Sequence, residues 1–598
     1  MSALLDIRGL CVDFHTPAAV VHAVRDLTLS VSPGECLGVV GESGAGKSQA
    51  FMAVLGLLAP PARVRGSARF RGRELLGLAA GALDQLRGAR IGTVFQDPSS
   101  CLTPHLRIGA QISEVRVRHL RESARQARRA AHALLERVHI ADAARRLQQY
   151  PHELSGGLRQ RAMIALALAA SPQLLIADEP TSSLDVTVQA QILALLLELK
   201  RSGSLTLVLI THDLGAVAGL ADRIGVLRDG TLVECGSAQQ VLEAARTPYA
   251  RALVGAARAL NGAAPAREGG SPTAPVALAA ENLSVTYHRP RWGLTSEPVP
   301  ALAEVSLALH AGESLAVVGE SGSGKSTLAR ALLKLLPPSA GRILWQGASP
   351  ETLGPAAVRA CRARLQLIFQ DGLASLDPRQ RALDIVAEGL SVHAPGLPVA
   401  EREERVLRAL AQVGLEPELA QRFPHQLSGG QCQRLGLARA MVLEPAVLVC
   451  DEPLSALDVS SQAQLLELLQ ALKHRHGVAL LFITHNLASV RALCERVLVL
   501  LRGRMVELAP AATLFSAPGH PYTRELLESV PLLDAQREPE RLRRARASAP
   551  EEPTGEGGCP YRGRCGYAQP ACAMAPVWEG PSAEHRLACR RWRELPPP

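Results

Sequence analysis

Lysine is almost absent. Of 598 residues only five are lysine, Lys47, Lys200, Lys325, Lys334 and Lys473, although Lys and Arg together number 65. Two of the five close glycine-rich loops, where a compact ammonium on a flexible stem reaches between phosphates and a planar guanidinium fits less well. Aromatic residues are only 3% of the chain, which leaves little for nucleic-acid bases to stack on. The net charge of +9 is spread along the sequence and is densest in short runs such as Arg541 to Arg546. That pattern reads as solvated surface or linker, not as a nucleic-acid groove. No apolar run approaches the roughly 20 residues of a membrane helix, and the N-terminus lacks the basic start and cleavage site of a signal peptide. The chain is therefore expected to be soluble and to stay in the cytoplasm. What remains is globular composition, 47% apolar and 20% charged, at a length that exceeds one core.

The chain says the same thing twice. Gly41-Glu42-Ser43-Gly44-Ala45-Gly46-Lys47-Ser48 returns as Gly319-Glu320-Ser321-Gly322-Ser323-Gly324-Lys325-Ser326. Downstream, Gln96, Leu154-Ser155-Gly156-Gly157, Asp178-Glu179-Pro180 and His212 return as Gln370, Leu427-Ser428-Gly429-Gly430, Asp451-Glu452-Pro453 and His485, at offsets of 274, 273, 273 and 273. A register held over more than a hundred residues sets the domain plan. We place a first ATPase domain at 1–260, an Ala, Gly and Pro-rich linker at 261–276, a second ATPase domain at 277–530 and a C-terminal extension at 531–598.

Short β-type runs, Cys36 to Val40 and Ser314 to Val318, lead into the glycine-rich loops, and Gln49 to Leu58 and Thr327 to Leu336 read as the helices that follow. Strand, loop, helix is the context a Walker A motif requires. Apolar strands at Leu174 to Ala177 and Ala446 to Cys450 deliver the Asp-Glu pairs, and those at Thr206 to Ile210 and Ala479 to Ile483 deliver the histidines, as in a buried parallel α/β sheet. Helix-rich stretches, Ile108 to Gln149 and Ala382 to Gln421, read as a helical subdomain inserted in each core.

Phosphate chemistry accounts for the spacing. The glycines Gly41, Gly44, Gly46 and Gly319, Gly322, Gly324 let backbone N–H groups approach the β- and γ-phosphates of ATP, a helix N-terminus adds a favourable dipole, and Lys47 or Lys325 neutralises charge. Ser48 and Ser326 supply a hydroxyl for Mg²⁺, and Asp178 and Asp451 hold the same ion, with Gln96 and Gln370 beside it. Glu179 and Glu452 are poised to orient the attacking water, and His212 and His485 to reach the γ-phosphate.

The segments Leu154 to Arg161 and Leu427 to Arg434 resemble the signature motif of ATP-binding cassette (ABC) ATPases. That resemblance implies an α/β fold of two tandem P-loop ATPase domains, each with an inserted helical subdomain, followed here by a small Cys-rich tail. It implies a head-to-tail pair in which Walker A of one half and the signature of the other (Ser155, Gly156, Gly157; Ser428, Gly429, Gly430) sandwich each ATP. The D-loops, Ser182-Ser183-Leu184-Asp185 and Ser455-Ala456-Leu457-Asp458, match as well, and Cys432 departs mildly from the pattern. Neither half has lost a Glu, a His or a signature Gly, so both sites are expected to hydrolyse ATP. Phe14 and Tyr287 stand where an aromatic stacks on adenine in cassettes; packing under the strand is the other reading.

Within that family the chain resembles the dipeptide and oligopeptide importer ATPases, through Val94 to Ser100 with Leu102-Thr103-Pro104, Phe369-Gln370-Asp371 through Pro378, and Gly519-His520-Pro521-Tyr522-Thr523. Thr247-Pro248-Tyr249 is a weaker echo in the first half. The chain looks like two partner ATPases fused, and His288 to Pro300 is similar to the extra segment that precedes Walker A in the second partner. The resemblance implies two transmembrane permease subunits and an extracytoplasmic substrate-binding protein as partners, no nucleic acid, and a peripheral place on the cytoplasmic face of the inner membrane.

Four of twelve cysteines lie near the end, Cys559, Cys565, Cys572 and Cys589. In a cytosolic protein such a cluster reads as a metal site before disulfides, but the tight pairs usual for structural zinc are missing. The tail resembles the C-terminal cysteine motif of peptide-importer ATPases, for which a [4Fe-4S] cluster is implied in some members; a tail with free thiols is the alternative. Two rival functions would leave other marks. A soluble tandem cassette acting on ribosomes carries a long basic helical linker, and a DNA-repair cassette carries large insertions between Walker A and signature. Neither is present in this sequence.

Overall fold

A computed structural model describes residues 3–16, 19–182, 184–202, 205–262, 274–290, 296–455, 457–545 and 557–596. The chain forms two compact units: Met1–Ala259 with Asp458–Ser460 and Pro531–Ser548, and Leu260–Leu457 with Ser461–Val530 and Ala549–Pro598.

In the first unit the described residues form a parallel sheet in the order Arg223–Arg228, Cys36–Val40, Thr206–Ile210, Leu174–Asp178, Ile91–Val94, with Thr231–Ser237 antiparallel on the edge. Cys36–Val40, Leu174–Asp178 and Thr206–Ile210 are buried at every position, as strands covered on both faces must be. The Walker strand lies between the His strand and Arg223–Arg228. Its C-terminal end therefore opens beside those that carry Asp178 and His212, where α/β sheets bind ligands. An antiparallel sheet built on Leu5–His15, Val20–Val31 and Ala62–Phe70 covers the Walker helix, burying Leu5, Ile7, Leu10, Phe51 and Phe70 in one core.

The second unit repeats the plan. Its sheet runs Leu365–Ile368, Val447–Asp451, Ala479–Ile483, Ser314–Val318, Arg496–Leu501, Arg504–Pro510, and the antiparallel layer holds Val276–Pro290, Ser296–His310 and Ala340–Trp345. Trp345 is buried there and its indole N–H donates to the Leu332 carbonyl at 2.8 Å. The segment at 288–300 lengthens this hairpin, pairing His288 with Pro298 and Pro290 with Ser296. Residues 291–295 of it lie outside the described residues, as do 263–273 of the linker and Arg546 of the arginine run.

The helices after the loops begin earlier and end sooner than their apolar pattern predicts, at Lys47–Val54 and Lys325–Leu332. They begin at the lysine because the last loop glycine is the N-cap. Gly56 (φ 62°) and Lys334 (φ 52°) then turn the chain out through left-handed backbone. The helical insertions are Ile108–Leu120 and Ala124–Arg137, and Ala382–His393 and Val399–Gln412. Each pair packs on the helix that follows its signature serine.

The extension placed at 531–598 is shared between the units. Helix Glu538–Ala545 packs on Val186–Arg201 and Leu214–Leu220 of the first. Gly219 makes this approach feasible, because a Cβ there would lie 2.6 Å from Leu542. The cysteine-bearing module belongs to the second unit, and its strand Arg586–Leu587 adds to the sheet edge by pairing Leu587 with Glu507.

Candidate active sites

Each phosphate loop is held as a cradle by its own lysine. Lys47 Nζ donates to the carbonyls of Gly41 and Glu42 at 2.7 and 2.8 Å, and Lys325 Nζ to those of Gly319 and Glu320 at 2.8 Å. Gly46 and Gly324 cap the helices at φ 87° and 102°, and a Cβ would strike the carbonyls of Ala23 and Ala301 at 2.1 and 2.7 Å. Only glycine meets both demands. Ser43, Gly44, Ser321 and Gly322 form the exposed rim.

Ser48 Oγ donates to Asp178 Oδ1 at 2.8 Å, and Ser326 Oγ to Asp451 Oδ1 at 2.9 Å. A hydroxyl and a carboxylate this close offer two hard oxygen ligands, which fits Mg²⁺. Gln96 Nε2 donates to Glu179 Oε2 at 2.9 Å, and Gln370 Nε2 to Glu452 Oε2 at 3.1 Å. On its other oxygen Glu179 meets His212 Nδ1 at 3.1 Å, and Glu452 meets His485 Nδ1 at 3.4 Å. Both sites thus contain the same network of Gln, Glu and His.

The adjacent carboxyls are pushed apart. Burial holds Asp178 and Asp451 above the usual carboxylate range. Burial also pushes Glu179 up, but the His212 hydrogen bond and charge, with Lys47 and Gln96, outweigh it and leave Glu179 below that range. Glu452 is lowered likewise by His485 and Lys325. The Glu of each pair is the one kept ionised to orient a water, while a divalent cation reverses the sign at the Asp. For His212, burial pushes the imidazole down and Glu179, through hydrogen bond and charge, raises it above its usual value. Replacing Glu179 by Gln removes the raising charge and keeps the burial. The His212 titration midpoint, followed by NMR in nucleotide-free protein, is expected to fall in Glu179→Gln; an unchanged or higher midpoint contradicts the pairing.

Ser155 and Ser428 are helix N-caps, accepting from the N–H of Leu158 and Gln431. The helix N-termini at Gly156 and Gly429 suit an anion. Gly157 has no room for a side chain, since a Cβ would meet Val188 at 2.6 Å. Cys432 is buried and turns its thiol to the Pro424 carbonyl at 3.5 Å. Asp185 caps helix Val186–Arg201, and Asp458 precedes helix Val459–His476; Ser183 and Ala456 of the D-loops lie outside the described residues. The two aromatic candidates differ. Phe14 packs against the first core, whereas Tyr287 is 41% exposed with its hydroxyl 3.3 Å from Thr327 on the Walker helix.

The ABC transporter family matches residues 24–182 and 302–455. Over 88% of its length this chain is 43% identical to the peptidoglycan transport ATP-binding protein YejF of Agrobacterium fabrum, covering 96% of that protein. The chain belongs to the ATP-binding proteins of ABC transporters. It is 41% identical over 90% of its length to the glutathione import ATP-binding protein GsiA of Escherichia coli O6:H1, covering 91% of it. With the oligopeptide transport ATP-binding protein OppD of Mycobacterium bovis it shares 42% identity over 90% of its length and all of that protein's. A C-terminal region of oligopeptide/dipeptide transporters matches 233–280 and 506–572. This ABC ATPase hydrolyses ATP for transport, and the ribosomal alternative finds no support among these relatives. No helix among the described residues is long and apolar enough to cross a membrane.

That C-terminal region contains residues the sequence motifs leave out. Glu234 accepts from the N–H groups of Arg246 and Thr247, and Glu507 from those of Gly519 and His520. Each glutamate fixes the turn that carries a tyrosine to its phosphate loop. The offset of 273 from Glu234 to Glu507 and from Tyr249 to Tyr522 was the available signal.

Cys559, Cys565, Cys572 and Cys589 line one recess together with His520 and Tyr561. No group of three or more His, Cys, Asp or Glu among the described residues is arranged to hold a single metal ion. Burial pushes the Cys559 thiol up to about 11. Burial also depresses His520 to about 4, so its imidazole is neutral. Its Nδ1 accepts from the Tyr522 N–H, leaving Nε2–H directed at Cys559 Sγ, 4.0 Å away.

Proposed function

We propose that the chain powers uptake of peptides or related small cargo by hydrolysing ATP beneath two transmembrane permease subunits, which receive the cargo from an extracytoplasmic substrate-binding protein. The observation that carries this reading is the pairing of two complete catalytic networks with the Glu and Tyr turns of the oligopeptide/dipeptide C-terminal region in both halves. Attachment to the permeases makes the chain peripheral to the cytoplasmic face of the inner membrane. ATP binding and hydrolysis at the two phosphate loops drive the transport cycle. Ser48, Asp178 and Gln96, and Ser326, Asp451 and Gln370, hold Mg²⁺, which neutralises phosphate charge. Affinity-tagged chain extracted from membranes is expected to bring down two permeases, and its ATPase to rise when the peptide-loaded binding protein is added to the reconstituted complex. Purification without permeases, or activity indifferent to the loaded binding protein, rejects the importer reading.

The same reading assigns a [4Fe-4S] cluster to Cys559, Cys565, Cys572 and Cys589. What supports it is the convergence of four thiols on one recess, and the His520 N–H directed at Cys559 is the kind of contact that tunes cluster sulfur. Bound there, the cluster would tie together a module that has little regular secondary structure of its own.

A further inference from the structure

The twofold repeat breaks at one residue beside the second phosphate loop. In the first half the Tyr249 hydroxyl accepts the backbone N–H of Glu42 at 3.3 Å; in the second, Tyr522 does the same for Glu320 at 3.0 Å. There the likeness ends. Arg564, adjacent to Cys565 in the C-terminal module, donates from Nη1 to Glu320 Oε1 and from Nη2 to Glu525 Oε2, both at 2.7 Å. The three side chains are only 11%, 16% and 12% exposed. Tyr561 lies under the guanidinium, 5.5 Å from its ring centroid, and packs against Tyr522 at 5.6 Å. Among the described residues Glu42 has no arginine partner.

We propose that Arg564 is a positioning residue for the second ATP site, through which the C-terminal module sets that site's grip on nucleotide and leaves the first site independent of it. Glu320 is the second residue of a loop whose N–H groups face phosphate, and its carboxylate has the same sign as the triphosphate. Pairing with Arg564 cancels that charge and pins the loop from behind, while Tyr522 fixes its backbone. Without the guanidinium, two nearly buried carboxylates are left without their shared counter-charge, one of them on the phosphate loop itself. This role of Arg564 rests on the second site binding ATP, as proposed above, and not on what fills the cysteine recess.

The test is photoaffinity labelling of the full-length chain with azido-ATP and Mg²⁺, followed by cleavage at a protease site engineered within 261–276 and titration of the label in each half. In Arg564→Met the half-saturating concentration of the second half is expected to rise by about tenfold, the scale of one charge-assisted hydrogen bond. The first half should not move, and Arg564→Lys should recover much of the loss. Adding Glu320→Gln to Arg564→Met removes the uncompensated charge and should restore labelling, which a collapsed module would not. Equal shifts in both halves, no shift, or no rescue by Glu320→Gln overturns the proposal.

Discussion

Glu179→Gln alone and Glu452→Gln alone are each expected to lower steady-state ATP turnover of the assembled transporter by about a hundredfold or more. Loss of a group that orients the attacking water carries a cost of that order at its own site. Both glutamates sit in left-handed backbone, at φ 45° and 49°, with their N–H groups donated to Ile210 and Ile483. Backbone strain of this sort persists only where the surroundings over-determine it. Here Gln and His on either side of the carboxylate do so, and a glutamine of equal size keeps the shape while losing the charge. ATP binding should survive, because Lys47 with Ser48, and Lys325 with Ser326, are untouched. Phosphate release from each single mutant, beside wild type, reads the result. Near wild-type activity in either would show that its site regulates and does not drive.

Legibility followed the range of the interaction. The motifs at the C-terminal ends of Cys36–Val40, Leu174–Asp178 and Thr206–Ile210 could be read because each is short, local and repeated after 273 residues. The structure brings their side chains together as the parallel register requires. Glu234, Glu507 and the role of Tyr249 and Tyr522 were legible in the same offset, but they carry no motif chemistry and show their purpose only once the turn is seen behind the loop. Helix ends were less legible, since left-handed residues such as Lys334 carry no compositional mark. Arg564 was not legible at all: one arginine among many, without a repeat partner, and 244 residues from Glu320. Nor does sequence separate Phe14 from Tyr287, one packed on the core and the other exposed beside the Walker helix, because both alternate correctly along a strand.

Chain purified anaerobically is expected to be brown and to carry about four iron and four inorganic sulfide per molecule, as a cubane cluster requires. The four cysteines are separated by intervals of six, seven and seventeen residues, yet they converge on one recess because the module is clamped at two points. Arg586–Leu587 pairs with the sheet edge at Glu507, whose carboxylate also meets His585 at 2.7 Å, and Tyr561 packs against His520 and Tyr522. The clamps hold the thiols near one another, and a cluster would supply the links that the turns between them lack. Replacing any one of Cys559, Cys565, Cys572 or Cys589 by Ser should bleach the protein and lower its iron, while azido-ATP labelling of the first half stays intact, since none of the four belongs to that unit. Exposure to air should bleach the wild type in the same way. Colourless anaerobic protein, whether it holds stoichiometric zinc or no metal, rejects the cluster and leaves the module held by its strand pairing and side-chain contacts, with Arg564 still reaching the second phosphate loop.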